Sequence, residues 1–140
     1  MPITTNDLFA FAQVLGRERA EVWRRSAISR AYYAAYHRCR GWERTIPLLG
    51  SNKGPEGGRH QELINRLKHP ALECGDVIRD RSRASGAQLE VQRQRRVQAD
   101  YALDDVIPDD AVRNQLDQVR EILARCDEPL PAMSVKGKRP

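Results

Sequence analysis

The chain has 140 residues, 40% of them hydrophobic and 31% charged. This suits one soluble globular domain with its own core and a heavily charged surface, and no apolar run nears the roughly 20 residues a bilayer span needs. Net charge is +5 at pH 7, carried by 20 arginines and only 4 lysines, a bias that permits phosphate and base contacts and that genomic base composition would equally produce.

The opening MPITTNDLFAFAQ has no basic region ahead of an apolar stretch, so no secretory signal is expected. Its Thr, Asn and Asp residues are capping candidates, and a short first helix should follow them. From about Glu18 to Trp42 neither proline nor glycine occurs except Gly41, which predicts a second helix of about seven turns. TIPLLGSNKGPEGGR, residues 45–59, is a Gly/Pro-rich loop with the composition of a mobile segment. A helix resumes at HQELINRLKH and is broken at Pro70. ALECGDVIRDRSRA continues as another helix, SGA (residues 85–87) reads as a turn, and a long helix is expected over 87–106. Pro108 followed by Asp109 and Asp110 marks a new N-terminus, with acids set against the helix dipole. Beyond it Val112, Leu116, Val119, Ile122, Leu123 and Cys126 fall at three- and four-residue steps, one buried stripe. The tail 128–140 lacks a pattern and is expected to be disordered.

No strand alternation and no internal repeat occurs. The expected architecture is all-α, an up-and-down bundle of four to five helices over residues 1–127, with the segments 18–42 and 87–106 as its central pair. Cys39, Cys74 and Cys126 are widely spaced and form no CxxC pair. They argue against a disulfide framework or a zinc site, and for a reducing cytoplasm.

Charge is unevenly distributed. Residues 17–44 carry a net of +5 and residues 97–128 a net of −6. The separation favours either anion binding on one face or complementarity between helices or subunits.

SRAYYAAYHRCR, residues 29–40, holds three of the four tyrosines. At about 100° per residue, positions 30, 33, 34 and 37 share a helix face. Arg30, Tyr33 and His37 therefore align about one turn apart. Ile28, Ala31, Tyr32, Ala35 and Cys39 form a packing face, with Tyr36 near it. A second polar cluster is RRVQADY, where Arg96 and Asp100 stand at i and i+4 and can pair. Set against the second helix, Asp100 could instead meet Arg30, and Tyr101 carries its hydroxyl to the neighbouring face.

SRAYYAAYH, followed about sixty residues later by RxxADY (Arg96, Ala99, Asp100, Tyr101), resembles the HEPN domain family of small helical proteins. HQELINRL after a Gly-rich loop resembles the H…L segment that the prokaryotic branch carries between the two. The resemblance spans about residues 5–126. It implies a helical bundle, usually a homodimer. Many members are metal-independent endoribonucleases that act as toxins beside a nucleotidyltransferase antitoxin, or in antiphage defence. Their signature is an arginine, four to six residues, then a histidine. Arg30, six residues and His37 match it; Ala31 stands where active members often have a polar residue. Members without the signature are non-catalytic modules that bind nucleotide, RNA or a nucleotidyltransferase partner.

Metal-free RNA cleavage uses the 2′-hydroxyl as nucleophile, a base of near-neutral pKa and a cation for the growing phosphate charge. The expected catalytic pair is Arg30 and His37. Tyr33, His60, Arg96, Asp100 and Tyr101 are expected to support it or to bind RNA. Neither metal nor cofactor is expected: GSNKGPEGG lacks phosphate-loop spacing, no HExxH or DxD cluster occurs, and Asp104, Asp105, Asp109 and Asp110 read as helix-end charges.

Overall fold

The computed structural model describes residues 2–131. Its regular structure is α1 (Thr5–Gly16), α2 (Glu21–Glu43), α3 (Arg59–Lys68), a 3-10 turn (Leu72–Cys74), α4 (Asp76–Tyr101) and α5 (Asp109–Asp127), with no strand among the described residues. The chain is thus an all-α bundle. The expectation for the tail lies outside the described residues from position 132 onward. Leu130, inside them, packs on the core.

α1 starts at a capping box: Asp7 N–H donates to the Thr4 hydroxyl at 3.1 Å, and Thr4 N–H donates to the Asp7 carboxylate at 2.9 Å. Two orphan amides of the first turn are satisfied this way. α2 begins three residues later than its composition suggests. The Arg17 and Glu18 amides close the end of α1 on Val14 and Leu15 carbonyls, and the chain reverses over 17–20.

α2 is the central helix, packed against α1, α4 and α5. Ala27, Ile28, Ala31, Tyr32, Ala34, Ala35 and Cys39 are each at most 1% exposed. The alanines let three neighbours approach closely, and each buried large side chain such as Ile28 contributes about 1.5–3 kcal/mol. Ala34, which spacing groups with Arg30 and His37, is covered instead, in one apolar cluster with Phe9 and Ala12 of α1. The polar face of α2 narrows accordingly to Arg30, Tyr33 and His37.

Side-chain contacts give the helix directions. Arg25 of α2 reaches the end of α4 and Tyr33 reaches Arg96, so these two helices are antiparallel. Arg95 meets Gln115, and Arg125 meets Ser85, so α4 and α5 are antiparallel as well. α2 and α5 run parallel, clamped by Arg24–Asp109 at 2.9 Å and Arg38–Asp127 at 3.1 Å. The basic and acidic segments of the sequence are thus partly complementary within one chain.

The Gly/Pro-rich loop is fastened to α3. Ser51 N–H donates to His69 O at 2.9 Å, and Asn65 Nδ2 donates to Asn52 Oδ1 and Pro55 O, both at 2.9 Å. Gly50 lies so close that a Cβ there would overlap the Arg66 carbonyl oxygen.

The expected turn at 85–87 is a correction. Ser85 and Gly86 are buried inside one 26-residue helix, α4. A Cβ on Gly86 would lie 2.9 Å from Lys68 Cγ and 3.0 Å from Leu67 Cβ, and Ser82 Oγ donates to Leu67 O at 2.6 Å. The small residues serve close packing of α3 on α4, not chain reversal. α4 also stops at Tyr101 rather than near Val106. Arg25 donates to the Ala99 and Ala102 carbonyls at 2.9 and 3.2 Å and to Asp105 O, capping the helix end with a guanidinium. The segment before α4 forms only the 3-10 turn. No helix among the described residues is long and apolar enough to cross a membrane.

Candidate functional site

Arg30, Tyr33 and His37 emerge along one side of α2 because helical spacing places them one turn apart while Ala31, Tyr32 and Ala34 are drawn into the core. Arg30 and His37 are exposed and Tyr33 is half-buried. Burial and the nearby Arg40 guanidinium hold the His37 pKa below the ordinary histidine value. Its imidazole is therefore neutral at pH 7, the form that can accept a proton.

α4, running antiparallel, brings Arg96 and Asp100 to the same place. Arg96 pairs with Asp100 at 2.8 Å, donates to the Tyr33 hydroxyl at 2.9 Å, and lies over the Tyr33 and Tyr101 rings with Cζ 5.2 and 5.8 Å from their centroids. Asp100 also accepts from Ser29 Oγ at 3.4 Å. Of the two pairings open to Asp100, the structure shows the one with Arg96. Arg96 and Ser29 take the carboxylate, and Arg30 has no ion pair among the described residues. The five side chains Arg30, Tyr33, His37, Arg96 and Asp100 line one open groove of about 540 Å³, joined by Ser29 and by apolar Ile3 and Leu8. Tyr101 stands 70% exposed beside it, attached through Arg96.

His60, the second residue of α3, does not line the groove but is drawn in behind it. Its Nδ1 lies 2.6 Å from the Tyr32 hydroxyl, and its ring stacks on Tyr36 with centroids 4.0 Å apart. It also meets the Tyr33 ring edge-on at 6.1 Å. His37 contacts the same cluster, 5.3 Å from Tyr36 and 6.3 Å from Tyr33. Two histidines thus flank one tyrosine cluster. Burial, then Arg93, Arg96, His37 and Arg40, keep His60 below the ordinary histidine value, while burial raises the Tyr32 pKa well above that of an exposed phenol. The buried Tyr32 hydroxyl has no other hydrogen-bond partner among the described residues, so it is assigned as donor to Nδ1, which puts the His60 proton on Nε2.

Sequence reasoning missed Ser29, Arg40 and Arg93. Arg40 was within reach of it, since it is one further turn along the Arg30–Tyr33–His37 face. Arg93, which donates to Gln61 at 2.8 Å, precedes Arg96 by one turn. Nothing in the local pattern distinguishes Ser29 from a packing serine. Cys39, Cys74 and Cys126 are buried and free. Among the described residues, no group of three or more His, Cys, Asp or Glu side chains is placed to hold a metal ion.

Arranged this way, the groove offers an unpaired guanidinium, a neutral imidazole and a tyrosine edge in a row, with a second guanidinium held by Asp100. Such a set can bind a phosphodiester and accept a proton from a neighbouring hydroxyl. Comparison with family models, curated proteins and solved structures finds no match to this chain.

Proposed function

We propose that the chain is a HEPN-type, metal-independent endoribonuclease, acting from the cytoplasm as the toxin of a toxin–antitoxin pair or as an antiphage effector. One observation carries this reading. Arg30 and His37 lie exposed on the same helix face and open into one groove with Tyr33, Arg96 and Asp100. A purely structural role would instead spend these side chains on internal partners, as Arg25 and Arg66 are spent.

In this mechanism Arg30 binds the scissile phosphate and offsets the charge that builds on it. Neutral His37 takes the proton from the 2′-hydroxyl as that oxygen attacks phosphorus. The P–O5′ bond breaks, leaving a 2′,3′-cyclic phosphate, and the departing 5′-oxygen receives a proton. That proton comes from solvent water, and in a homodimer with the grooves facing across a two-fold axis the second copy's Arg30 would add its charge at the same phosphate. The family resemblance supports a nucleotidyltransferase as antitoxin partner.

Purified protein should cleave single-stranded RNA in EDTA, and Arg30→Ala and His37→Ala should each stop it. Undiminished cleavage by both variants would falsify the assignment. A second reading, a non-catalytic module that binds nucleotide, RNA or a nucleotidyltransferase, is favoured by the internal satisfaction of Arg96 and Asp100. It predicts RNA binding without turnover.

A further inference from the structure

Beside the groove, where α2 ends and α3 begins, lies a separate pocket of about 290 Å³ lined by Arg40, Arg44, Arg59 and Arg66, with Tyr36 and Leu63 as its apolar wall. Its charges are unbalanced. Glu43, only 7% exposed, is taken by Arg66 through two bonds, Nε at 2.7 Å and NH2 at 3.0 Å. Arg40, Arg44 and Arg59 have no ion pair among the described residues, and the one remaining carboxylate of the pocket is Glu62. Three guanidiniums turned towards one concavity repel one another and gain most from a bound anion. Guanidinium forks fit phosphate oxygens in particular.

The pocket adjoins the groove. Arg40 follows His37 by one turn and lies over the Tyr36 ring, 5.7 Å from its centroid. That ring is in turn 5.3 Å from His37 and 4.0 Å from His60. From Arg30 to Arg44 the helix axis covers about 21 Å at 1.5 Å per residue, a span of several nucleotides. We infer that the Arg40–Arg44–Arg59 pocket is a phosphate subsite that holds the RNA strand several nucleotides away from the phosphate at Arg30 and His37. This rests on the ribonuclease reading and adds to it a direction for the strand, along α2 towards the start of α3.

The test uses a fluorescent 2′-O-methyl RNA of roughly 12 nucleotides, within the range of single-strand site sizes, which binds but lacks the attacking hydroxyl. Anisotropy is measured across a salt series for the wild type and for the double variant Arg44→Ala/Arg59→Ala. Both side chains are exposed, and a thermal melt verifies the variant's fold. The double variant should bind about tenfold more weakly near 0.1 M salt. Its plot of log affinity against log salt should be shallower by about 1.4, at about 0.7 per lost contact to a single strand. A 2′-O-methyl dinucleotide, whose single phosphodiester cannot bridge the groove and the pocket, should discriminate far less between the two proteins. Equal affinity and equal slope with the long probe would overturn the subsite and leave the groove reading standing, since the wild type would still bind RNA. If the wild type binds neither probe, the subsite and the ribonuclease reading fall together.

Discussion

Tyr32 and His60, from two helices separated by the Gly/Pro-rich loop, meet through a 2.6 Å contact between phenol oxygen and Nδ1. The contact fixes the imidazole tautomer and holds the start of α3 on α2. Tyr32→Phe removes the donor while keeping the ring, which is fully buried, so the loss should be about 1 kcal/mol in chemical denaturation. The donated bond favours the neutral imidazole. NMR titration of the variant should therefore show His60 protonating at higher pH than in the wild type. An unmoved titration curve would rule out the bond as the source of the tautomer.

Arg30 and Arg96 are both on the groove but differ in what they hold. Arg30→Ala removes an exposed, unpaired side chain and should leave unfolding free energy within about 0.5 kcal/mol. Arg96→Ala breaks an ion pair, a bond to Tyr33 and contacts with two rings, and should cost about 1–2 kcal/mol. RNA cleavage in EDTA should fall at least about a hundredfold for Arg30→Ala and His37→Ala, the range expected for charge stabilisation and acid–base groups. A large loss of stability in Arg30→Ala would instead mark that arginine as structural.

Much of this site could be read from spacing, because α2 is a regular helix. Arg30, Tyr33 and His37 share a face by arithmetic alone, and Tyr32 and Ala35 are buried as that arithmetic requires. Ala34 escaped it because burial depends on α1 covering that side, a tertiary fact. The choice between Arg30 and Arg96 as partner of Asp100 was equally beyond it. The two pairings differ only in side-chain reach across two helices, and the i to i+4 pair within α4 wins. The bond of His60 to Tyr32 was hidden for a similar reason: a histidine beside a Gly-rich loop looks exposed until the loop is tied down at Asn65.

Gly86 is where local pattern and tertiary packing conflict most sharply. In a helix interior, alanine is better than glycine by about 1 kcal/mol. Here an added Cβ meets Leu67 Cβ at 3.0 Å and the Lys68 amide nitrogen at 3.1 Å, atoms that cannot swing aside as the Lys68 side chain can. Gly86→Ala should therefore destabilise, by about 1 kcal/mol after the helix gain is deducted, and Gly86→Val by about 3 kcal/mol. Urea midpoints of the two variants test this. A more stable Gly86→Ala protein would mean that α3 shifts to admit the methyl group.

His37 and His60 both bind protons less readily in the folded chain than the ordinary value of 6.5. Above that value the ring is neutral in folded and unfolded chains alike, and neither histidine changes stability with pH. As pH falls below 6.5 the unfolded chain takes up protons that the folded one resists, so stability declines. The decline ends once pH passes beneath the depressed folded values. His60 should contribute the larger share, because beyond burial it faces Arg93 and Arg96 of α4 as well as His37 and Arg40 of α2, while His37 is held down by partial burial and then by Arg40 alone. His60→Gln removes the titrating group. Its urea midpoint should change less than the wild type's between about pH 7.5 and pH 5, whereas His37→Gln should follow the wild type more closely. Parallel curves for wild type and His60→Gln over that range would show that proton uptake at this ring does not oppose folding. By the same argument His37 should retain its base form below pH 6.5, so that kcat/KM for RNA stays level to a lower pH than a solvent-exposed histidine would allow.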